Sequence, residues 1–296
     1  MMKESQRNDP LEHDPLGRAA ADPAPRPIRR GASSLRYRPL GSGETWRISV
    51  CAALSLCALW WASTYFGWIK PLFLPSPEMT LRAFIAALQG ETQGEVPLYD
   101  HVLTSVMRVM TAFILAVVVG VPLGIAMGTS RLIRGIADPL IEFYRPLPPL
   151  AYLPLVVIWL GIDEGAKIAL IFLACLAPLA MAAKAGVRSV PIEQINAAFS
   201  LGASRWQVVR LVVLPASLPE ILTGMRIAIG FGWTTLVAAE MVAATKGVGQ
   251  MVLNASNFLR TDIVIMGIIL IGILAYLFDL LMRRAETALT PWKGKM

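Results

Sequence analysis

Six long apolar stretches dominate the sequence and limit the folds that the chain can adopt. A helix needs about 20 apolar residues to cross the hydrocarbon core of a bilayer. In lipid, only helices and closed barrels satisfy the backbone, and a barrel strand would alternate apolar and polar residues, which these stretches do not. We therefore predict an all-α integral membrane protein with six transmembrane helices. The stretches are Ile48–Phe66, Val109–Met127, Ile141–Ile162, Lys167–Ala183, Ile221–Ala244 and Ile263–Met282.

The composition agrees with a membrane solvent. The chain of 296 residues is 55% hydrophobic and 16% charged, with a mean hydropathy of +0.58, whereas soluble domains carry about 25% charged residues. The composition therefore disfavours a soluble globular enzyme. The three cysteines, Cys51, Cys57 and Cys175, lie inside apolar runs without metal-ligand spacing. We interpret them as small hydrophobic residues and predict no metal site.

The distribution of Lys and Arg sets the predicted orientation. With both termini in the cytoplasm, the cytoplasmic segments hold 19 of the 27 basic residues and the opposite segments hold five. This excess is the one expected for cytoplasmic loops. Residues 1–46 are rich in Pro and Arg without an apolar period, and we predict a disordered cytoplasmic tail rather than a nucleic-acid-binding arm. Residues 284–296 are predicted to form a cytoplasmic C-terminal tail.

The remaining chain divides into three predicted parts. Residues 47–68 form a first, peripheral transmembrane helix, 69–101 form a periplasmic loop, and 102–283 form a five-helix core. Within the periplasmic loop, Ser76 and Pro77 are typical of a helix start. We expect a short amphipathic helix there, with one apolar stripe against the membrane or the bundle. The stripe consists of Leu81, Phe84, Ile85 and Leu88.

The cytoplasmic connection 186–217 is too long for a simple turn. Pro191 suits the start of a short helix, Gly202 suits its left-handed C-terminus, and Ser204 can cap a second helix. We therefore predict two short helices joined by a sharp turn. Two interpretations stay open at this point: a docking site for another protein, or a helix pair lying flat on the lipid. The first helix carries an apolar stripe made of Ile192, Ile195 and Phe199.

Ionisable and bulky residues inside the fifth stretch are candidates for a translocation path. An ionisable group within a span is a functional hypothesis by default. Glu240 is the main candidate, although it can also be hydrated near the outer surface or pair with Lys246. Trp233 and Thr234 are the other two candidates, with packing as the alternative for the tryptophan. Arg226 and Arg145 are interpreted as interfacial.

No catalytic or nucleotide-binding motif occurs in the sequence. A Gly-x4-Gly-Lys-Ser/Thr loop is missing, and His13 and His101 are isolated from carboxylates and nucleophiles at catalytic spacing. We therefore predict no catalytic residue and no intramembrane enzyme. A self-contained ion-coupled carrier stays an alternative, although such carriers commonly show internal repeats. Gly120, Gly124 and Gly128 allow close helix packing, either within the chain or at a dimer seam.

The cytoplasmic loop resembles the EAA loop of ABC-importer permeases. The family pattern is Glu-Ala-Ala-x3-Gly-x9-Ile-x-Leu-Pro, and this chain departs from it with Asn196 for Glu and Val212 for Ile. Residues 143–151 and 232–241 look like the permeases for taurine, other sulfonates and nitrate, with taurine permeases the most similar branch. The residues carried over as the ATPase-coupling loop are Asn196, Ala197, Ala198, Gly202, Leu214 and Pro215.

The resemblance, which extends from about Leu74 to the C-terminus, implies a type I ABC-importer permease fold and a place in the bacterial inner membrane. It implies a non-catalytic subunit that binds no cofactor, with ATP bound and hydrolysed on separate ATPase subunits. It further implies a periplasmic substrate-binding protein, a second copy of the chain and membrane lipid as partners, and no nucleic acid. The implied substrate is taurine, with other sulfonates or nitrate as the alternative.

Overall fold

The computed structural model describes residues 46–90 and 96–292, and the regular structure in these two ranges is helical throughout. Apart from Trp46, the predicted tail 1–46 lies outside the described residues. The helices are α1 (Trp46–Tyr65), α2 (Pro77–Leu88), α3 (Leu98–Thr129), α4 (Arg131–Tyr144), α5 (Pro149–Leu160), α6 (Glu164–Arg188), α7 (Ile192–Ser200), α8 (Arg205–Val208), a π-helical turn (Val209–Val213), α9 (Leu214–Ala243), α10 (Val248–Asn257) and α11 (Thr261–Leu289).

The chain divides into two compact units, Met1–Cys51 and Ala52–Met296. Of the first unit, the structure describes residues 46–51, which begin α1. The second unit holds the rest of α1 and all the other described helices.

Five helices of the described chain are long and apolar enough to cross a membrane, and a bent pair makes up to a sixth span. The bent pair corrects the prediction of one continuous third span, because α4 and α5 meet at 106°. Pro146 and Pro148 lie in the break. Each proline removes a backbone donor and disfavours helical geometry at the preceding residue. At the other end of the chain, α11 continues to Leu289, so the predicted tail from 284 begins as helix.

Three helices, α3, α6 and α9, form the centre of the second unit. Their facing side chains are fully or almost fully buried, and apolar residues of α11 cover them from one side. The buried set is Val109, Ala112, Phe113, Ala116, Ile171, Cys175, Leu179, Ala228, Ile229, Trp233 and Leu236.

Glycines on α3 allow that helix to lie very close to α6. A Cβ atom added at Gly124 would lie 2.6 Å from the Cβ of Ala183, and one added at Gly128 would lie 2.5 Å from a methyl group of Val187. Distances this short are not compatible with a side chain at either position. The glycine stripe therefore packs within the chain, as the first of its two interpretations predicts.

The contacts along the bundle fix the relative directions of its helices. Gly128 of α3 meets Val187 near the end of α6, and Arg108 of α3 meets Glu164 at the start of α6, so these two helices run parallel. Glu240 near the end of α9 also meets Arg108, so α9 runs antiparallel to both. We call the end of the bundle at residues 188–204 the loop end and the end at Arg108 the network end.

Helix α2 has the predicted start, and the part of it buried in the bundle is made of small residues. The Ser76 hydroxyl accepts a hydrogen bond from the Met79 amide, and Pro77 occupies the first turn. The face that packs on the bundle consists of Thr80, Ala83 and Ala87. The predicted stripe is largely exposed instead, with Leu81, Ile85 and Leu88 exposed and Phe84 half-buried. Small residues allow α2 to approach α11 closely, and Leu81 and Phe84 border a cavity that α11 also lines.

Candidate functional site

The loop end is built around a complete helix stop at Gly202. This glycine has φ +82°, a region that residues with a Cβ disfavour. Its amide donates to the Phe199 carbonyl at 2.9 Å, and the Ala203 amide donates to the Ala198 carbonyl at 3.1 Å. These two bonds form a Schellman motif, which satisfies the last carbonyls of α7. The predicted left-handed turn is confirmed, and Gly202 is the residue that ends α7.

Ser204 starts the next helix as predicted, but that helix is not short. The Ser204 hydroxyl accepts from the Gln207 amide at 3.4 Å, and the Gln207 side chain accepts from the Ser204 amide at 2.8 Å. From this capping box the helix continues through the π-helical turn into α9. The prediction of two short helices is therefore wrong for the second, which is the first part of the fifth span.

The Leu-Pro pair of the motif follows the π-helical turn directly. The Leu214 amide donates to the carbonyl of Val209, five residues before it. Pro215 has no amide hydrogen, so a regular helix would lack one hydrogen bond there. The wider π-helical turn lies directly before the position at which the helical hydrogen bond is missing. Pro215 therefore accounts for the local change in helix geometry.

The surface of the loop end is apolar and exposed. In α7, Ile192 is 59% exposed and Phe199 45%, while Leu201 in the turn is 89% exposed. Asn196 and Ala197 are exposed, and Ala198 is half-buried. A groove of about 960 Å³ runs beside α7. Its lining is Gly128, Thr129, Val187, Arg188, Val190, Ile192, Ile195, Phe199, Arg205, Trp206, Val208, Val209 and Val213.

The network end is closed by buried charges. Glu240 is fully buried, accepting from the guanidinium of Arg108 at 2.6 Å, the Ser105 hydroxyl at 2.7 Å and the Gly249 amide at 2.8 Å. Arg108 also donates twice to Glu164, at 2.6 and 2.7 Å. This cluster, the Arg108 network, joins α3, α6 and α9 to the start of α10.

Two of the three predicted path residues line no described cavity in this conformation. Glu240 is closed into the Arg108 network, and its partner is Arg108 rather than the side chain of Lys246. Trp233 is 3% exposed, with its ring 5.5 Å from that of Phe278. Within the described chain its indole N–H has no hydrogen-bond partner. In this conformation both residues are packed between helices, so their place on the path stays a prediction.

Thr234 does lie on a cavity. The cavity has a volume of about 600 Å³ and lies between the α4–α5 break, the middle of α6 and one face of α9. This volume is in the range of small-molecule sites. Its lining is Tyr144, Arg145, Pro146, Leu147, Pro148, Pro149, Tyr152, Leu173, Ala174, Ala177, Pro178, Met181, Ala182, Ile227, Phe231, Thr234 and Thr235. We call it the central cavity.

Arg226 also has a different environment from the predicted interfacial one. Its guanidinium donates to Asp279 at 3.1 Å and to Glu286 at 3.2 Å, both on α11. This ion-pair cluster joins α9 to α11. Among residues 46–90 and 96–292, no group of three or more His, Cys, Asp or Glu side chains could hold a metal ion.

The sequence matches known transport proteins over most of its length. Residues 120–290 match the family described as binding-protein-dependent transport system inner membrane component. The chain is 50% identical to the taurine transport system permease protein TauC of Escherichia coli over 88% of this chain and 95% of that protein. It is 35% identical to the putative aliphatic sulfonates transport permease protein SsuC of Escherichia coli, over 81% and 89% of the two chains.

A solved structure of the MetNI methionine ABC transporter in an inward-facing conformation has the same fold. The match has a TM-score of 0.58 at 20% identity and covers 65% of this chain and 96% of that chain. At this identity the likeness concerns the fold alone. The fold is therefore the type I ABC-importer permease fold that the resemblance implies.

Proposed function

The chain belongs to the binding-protein-dependent transport system inner membrane component family, and we propose that it forms the translocation path for taurine in an ATP-driven importer. As a family member it is an inner-membrane component of an ABC importer, which removes the self-contained ion-coupled carrier from consideration. Taurine is proposed because half of the residues are identical to those of a taurine permease over most of both chains. Other sulfonates and nitrate are the alternative substrates.

The loop end is proposed to dock an ATPase subunit. The observation that supports this proposal is the exposed apolar surface of the loop end. Apolar side chains are costly to expose to water, yet Ile192, Phe199 and Leu201 are exposed there. The Schellman motif at Gly202 fixes the angle at which α7 leaves the capped helix. The coupling residues Asn196, Ala197, Ala198, Gly202, Leu214 and Pro215 would thus present α7 to a groove on the partner.

ATP is proposed to be bound and hydrolysed on that partner, with no cofactor on this chain. Two copies of the chain would enclose one path, and a periplasmic binding protein would deliver the substrate at the network end. Both termini would lie in the cytoplasm. The bundles would shift between two states when ATP closes the ATPase pair, because the closed pair binds one of the two states more tightly than the other.

The docking proposal is tested with Gly202 variants. Gly202→Val forces a β-branched residue into a left-handed conformation, so α7 should leave at a different angle. We expect normal membrane insertion, loss of the ATPase in a pull-down and loss of transport. Gly202→Ala should be milder, at about 1–2 kcal/mol. Gly135→Ala is the matched control, because nothing lies within 4 Å of an added Cβ there. Normal ATPase retention by Gly202→Val would instead favour a loop that lies on lipid.

The substrate is tested by uptake into proteoliposomes that contain the permease, its ATPase and the matched binding protein. We expect ATP-dependent uptake of taurine. Unlabelled alkanesulfonates and nitrate should compete with it only weakly. Faster uptake of one of those anions would replace taurine as the substrate and leave the permease assignment unchanged.

A further inference from the structure

Arg145 stands at the break between α4 and α5 without a protein partner. In the chain described from 46 to 90 and from 96 to 292, its side chain makes no ion pair and donates no hydrogen bond, and it is exposed. Other arginines of the bundle, such as Arg108 and Arg226, are each paired with two carboxylates. Arg145 is therefore a free cation on a protein surface that is otherwise largely apolar.

The depth of Arg145 in the bundle argues against an interfacial position. The wall of the central cavity on α6 runs from Leu173 to Ala182, which is the middle of a helix that spans Glu164–Arg188. At 1.5 Å per residue, this wall begins about 13 Å from one end of α6 and ends about 9 Å from the other. Arg145 lines the same cavity. An ionisable group at this depth typically faces a water-filled cavity or a partner rather than lipid.

The backbone at the break gives the same indication. Residues 145–148 are outside any helix, and non-helical backbone at membrane depth is tolerated only where protein buries it or water reaches it. Here Arg145, Pro146, Leu147 and Pro148 all line the central cavity. The break therefore opens a wetted space rather than a lipid-facing defect.

The charge of the cavity wall is one-sided. Among its lining residues Arg145 is the charged one, and no Asp or Glu of the described chain lines it. Tyr152, Thr234 and Thr235 lie on the same wall. The Thr234 hydroxyl donates to the Phe231 carbonyl at 2.9 Å and the Tyr144 hydroxyl to the Leu173 carbonyl at 3.1 Å, which leaves Tyr152 and Thr235 as hydroxyl donors. A single guanidinium with nearby hydroxyl donors suits a small anion with several oxygens, because the planar fork of Arg matches such groups.

We propose that the central cavity is a transit subsite for the substrate and that Arg145 determines its specificity by pairing with the anionic group of the substrate. The inference rests on the proposed function, since it takes the substrate to be a sulfonate or a similar oxyanion. Pairing in transit must be weak enough for release, and the exposure of Arg145 to the cavity provides for this because water competes for the charge.

The first test compares transport with ATP hydrolysis in proteoliposomes that contain the complete importer. For Arg145→Gln we expect the amount of taurine moved per ATP hydrolysed to fall about three- to fivefold, the loss expected when a water-exposed ion pair is removed. The ATPase rate stimulated by the loaded binding protein should stay near the wild-type rate, because Arg145 does not line the groove beside α7. Arg145→Lys, which keeps the charge, should retain part of the transport.

Arg284→Gln is the matched control for loss of one positive charge. Arg284 is exposed near the end of α11 and lines neither the central cavity nor the groove at α7. Its transport ratio should equal that of the wild type. Equal falls in transport and ATPase activity for Arg145→Gln, or loss of complex assembly, would show a structural role for Arg145 and overturn the proposal. An unchanged ratio, as for an arginine that reaches only lipid headgroups, would overturn it as well.

The second test restores the charge chemically. In a background with Cys51→Ser, Cys57→Ser and Cys175→Ala, Arg145→Cys is treated with a cationic aminoethyl or an anionic sulfonatoethyl methanethiosulfonate. We expect the cationic reagent to restore taurine transport and the anionic one to leave it low. Equal effects of the two reagents would contradict a role for charge.

The wild-type protein separates this proposal from the proposed function. Wild-type uptake of taurine tests the function by itself, and the ratio of variant to wild type tests Arg145. If the wild type carries another sulfonate or nitrate instead, the taurine assignment fails and the Arg145 ratio is measured with that anion. If the wild type carries none of these anions, both proposals are overturned.

Discussion

Arg108 and Glu240 meet at 2.6 Å although they lie 132 residues apart in the sequence, and Glu240 is fully buried. Each group has further partners, so neither charge is left unsatisfied. Removal of one member of such a pair strands the other in a low-dielectric environment, which costs far more than the net contribution of the pair. The buried Arg108–Glu240 contact therefore joins α3 to α9, and the contact of Arg108 with Glu164 adds α6.

The Arg108 network predicts unequal effects for substitutions of its members. Arg108→Gln should destabilise the folded protein by about 3–5 kcal/mol, because Glu240 would keep its charge without a cation. Glu164→Gln should cost less than Arg108→Gln, because Arg108 would keep Glu240 as its partner and only the Lys167 ammonium would lose its carboxylate. Denaturant unfolding in mixed micelles measures both. The double variant Arg108→Met with Glu240→Leu should be more stable than Arg108→Gln, and a less stable double variant would contradict this account.

The close contact of α3 with α6 predicts a strict requirement at Gly124. Gly124→Val should lower stability by about 1–3 kcal/mol or more, because an added side chain would overlap Ala183 and force the helices apart. Gly135→Ala is the control in a helix with open space around it, and there we expect a gain of up to about 1 kcal/mol from helix propensity. The temperature of aggregation in detergent compares the two. Equal stability of both variants would show that α3 and α6 are not in this contact.

The orientation of α2 predicts a labelling pattern in intact cells. Cysteines introduced at Ala83 and Ala87, which are 5% and 0% exposed, should resist impermeant thiol reagents. Cysteines at Arg82 and Gln89 should react readily. Leu88→Cys tests the surface around the helix: slow reaction means that lipid covers the exposed apolar stripe, whereas fast reaction would place that stripe in water.

The distribution of Lys and Arg predicts the topology. A reporter active only in the periplasm, fused after Met296, should be silent. The same reporter fused after Phe258, in the connection between α10 and α11, should be active and serves as the control. Periplasmic activity after Met296 would contradict the predicted orientation of the whole bundle.

Features set by nearby residues are predictable from the sequence. The left-handed turn at Gly202 and the cap at Ser204 depend on interactions over five residues or fewer, and both are present. The start of α2 at Ser76 is a similar case. The sequence predicts such features directly, because the residues that form each turn or cap lie within a few positions of one another.

Features set by distant residues are not predictable in the same way. Lys246 is a reasonable partner for Glu240 because it is close in sequence, but Arg108 comes from another helix. Hydropathy does not reveal the break after Tyr144. The residues that follow Arg145 are apolar, and apolar residues give the same hydropathy inside and outside a helix. Its signal is present as Pro146 and Pro148, which a search for apolar runs alone does not weigh. Conversely, one sequence cannot tell that Trp233 faces Phe278 and not a cavity.

The unbroken helix from Arg205 to Val242, 38 residues long, gives the molecule a mechanical property. At 1.5 Å per residue it is a rod of about 57 Å, gripped in its middle where Gly224 lies against Ala182 of α6. A rod held near its centre acts as a lever: a push at the Ser204 end swings the Glu240 end the other way, with the Gly224 contact as fulcrum. The π-helical turn lies between Ser204 and the Gly224 contact, so any such push has to pass through it.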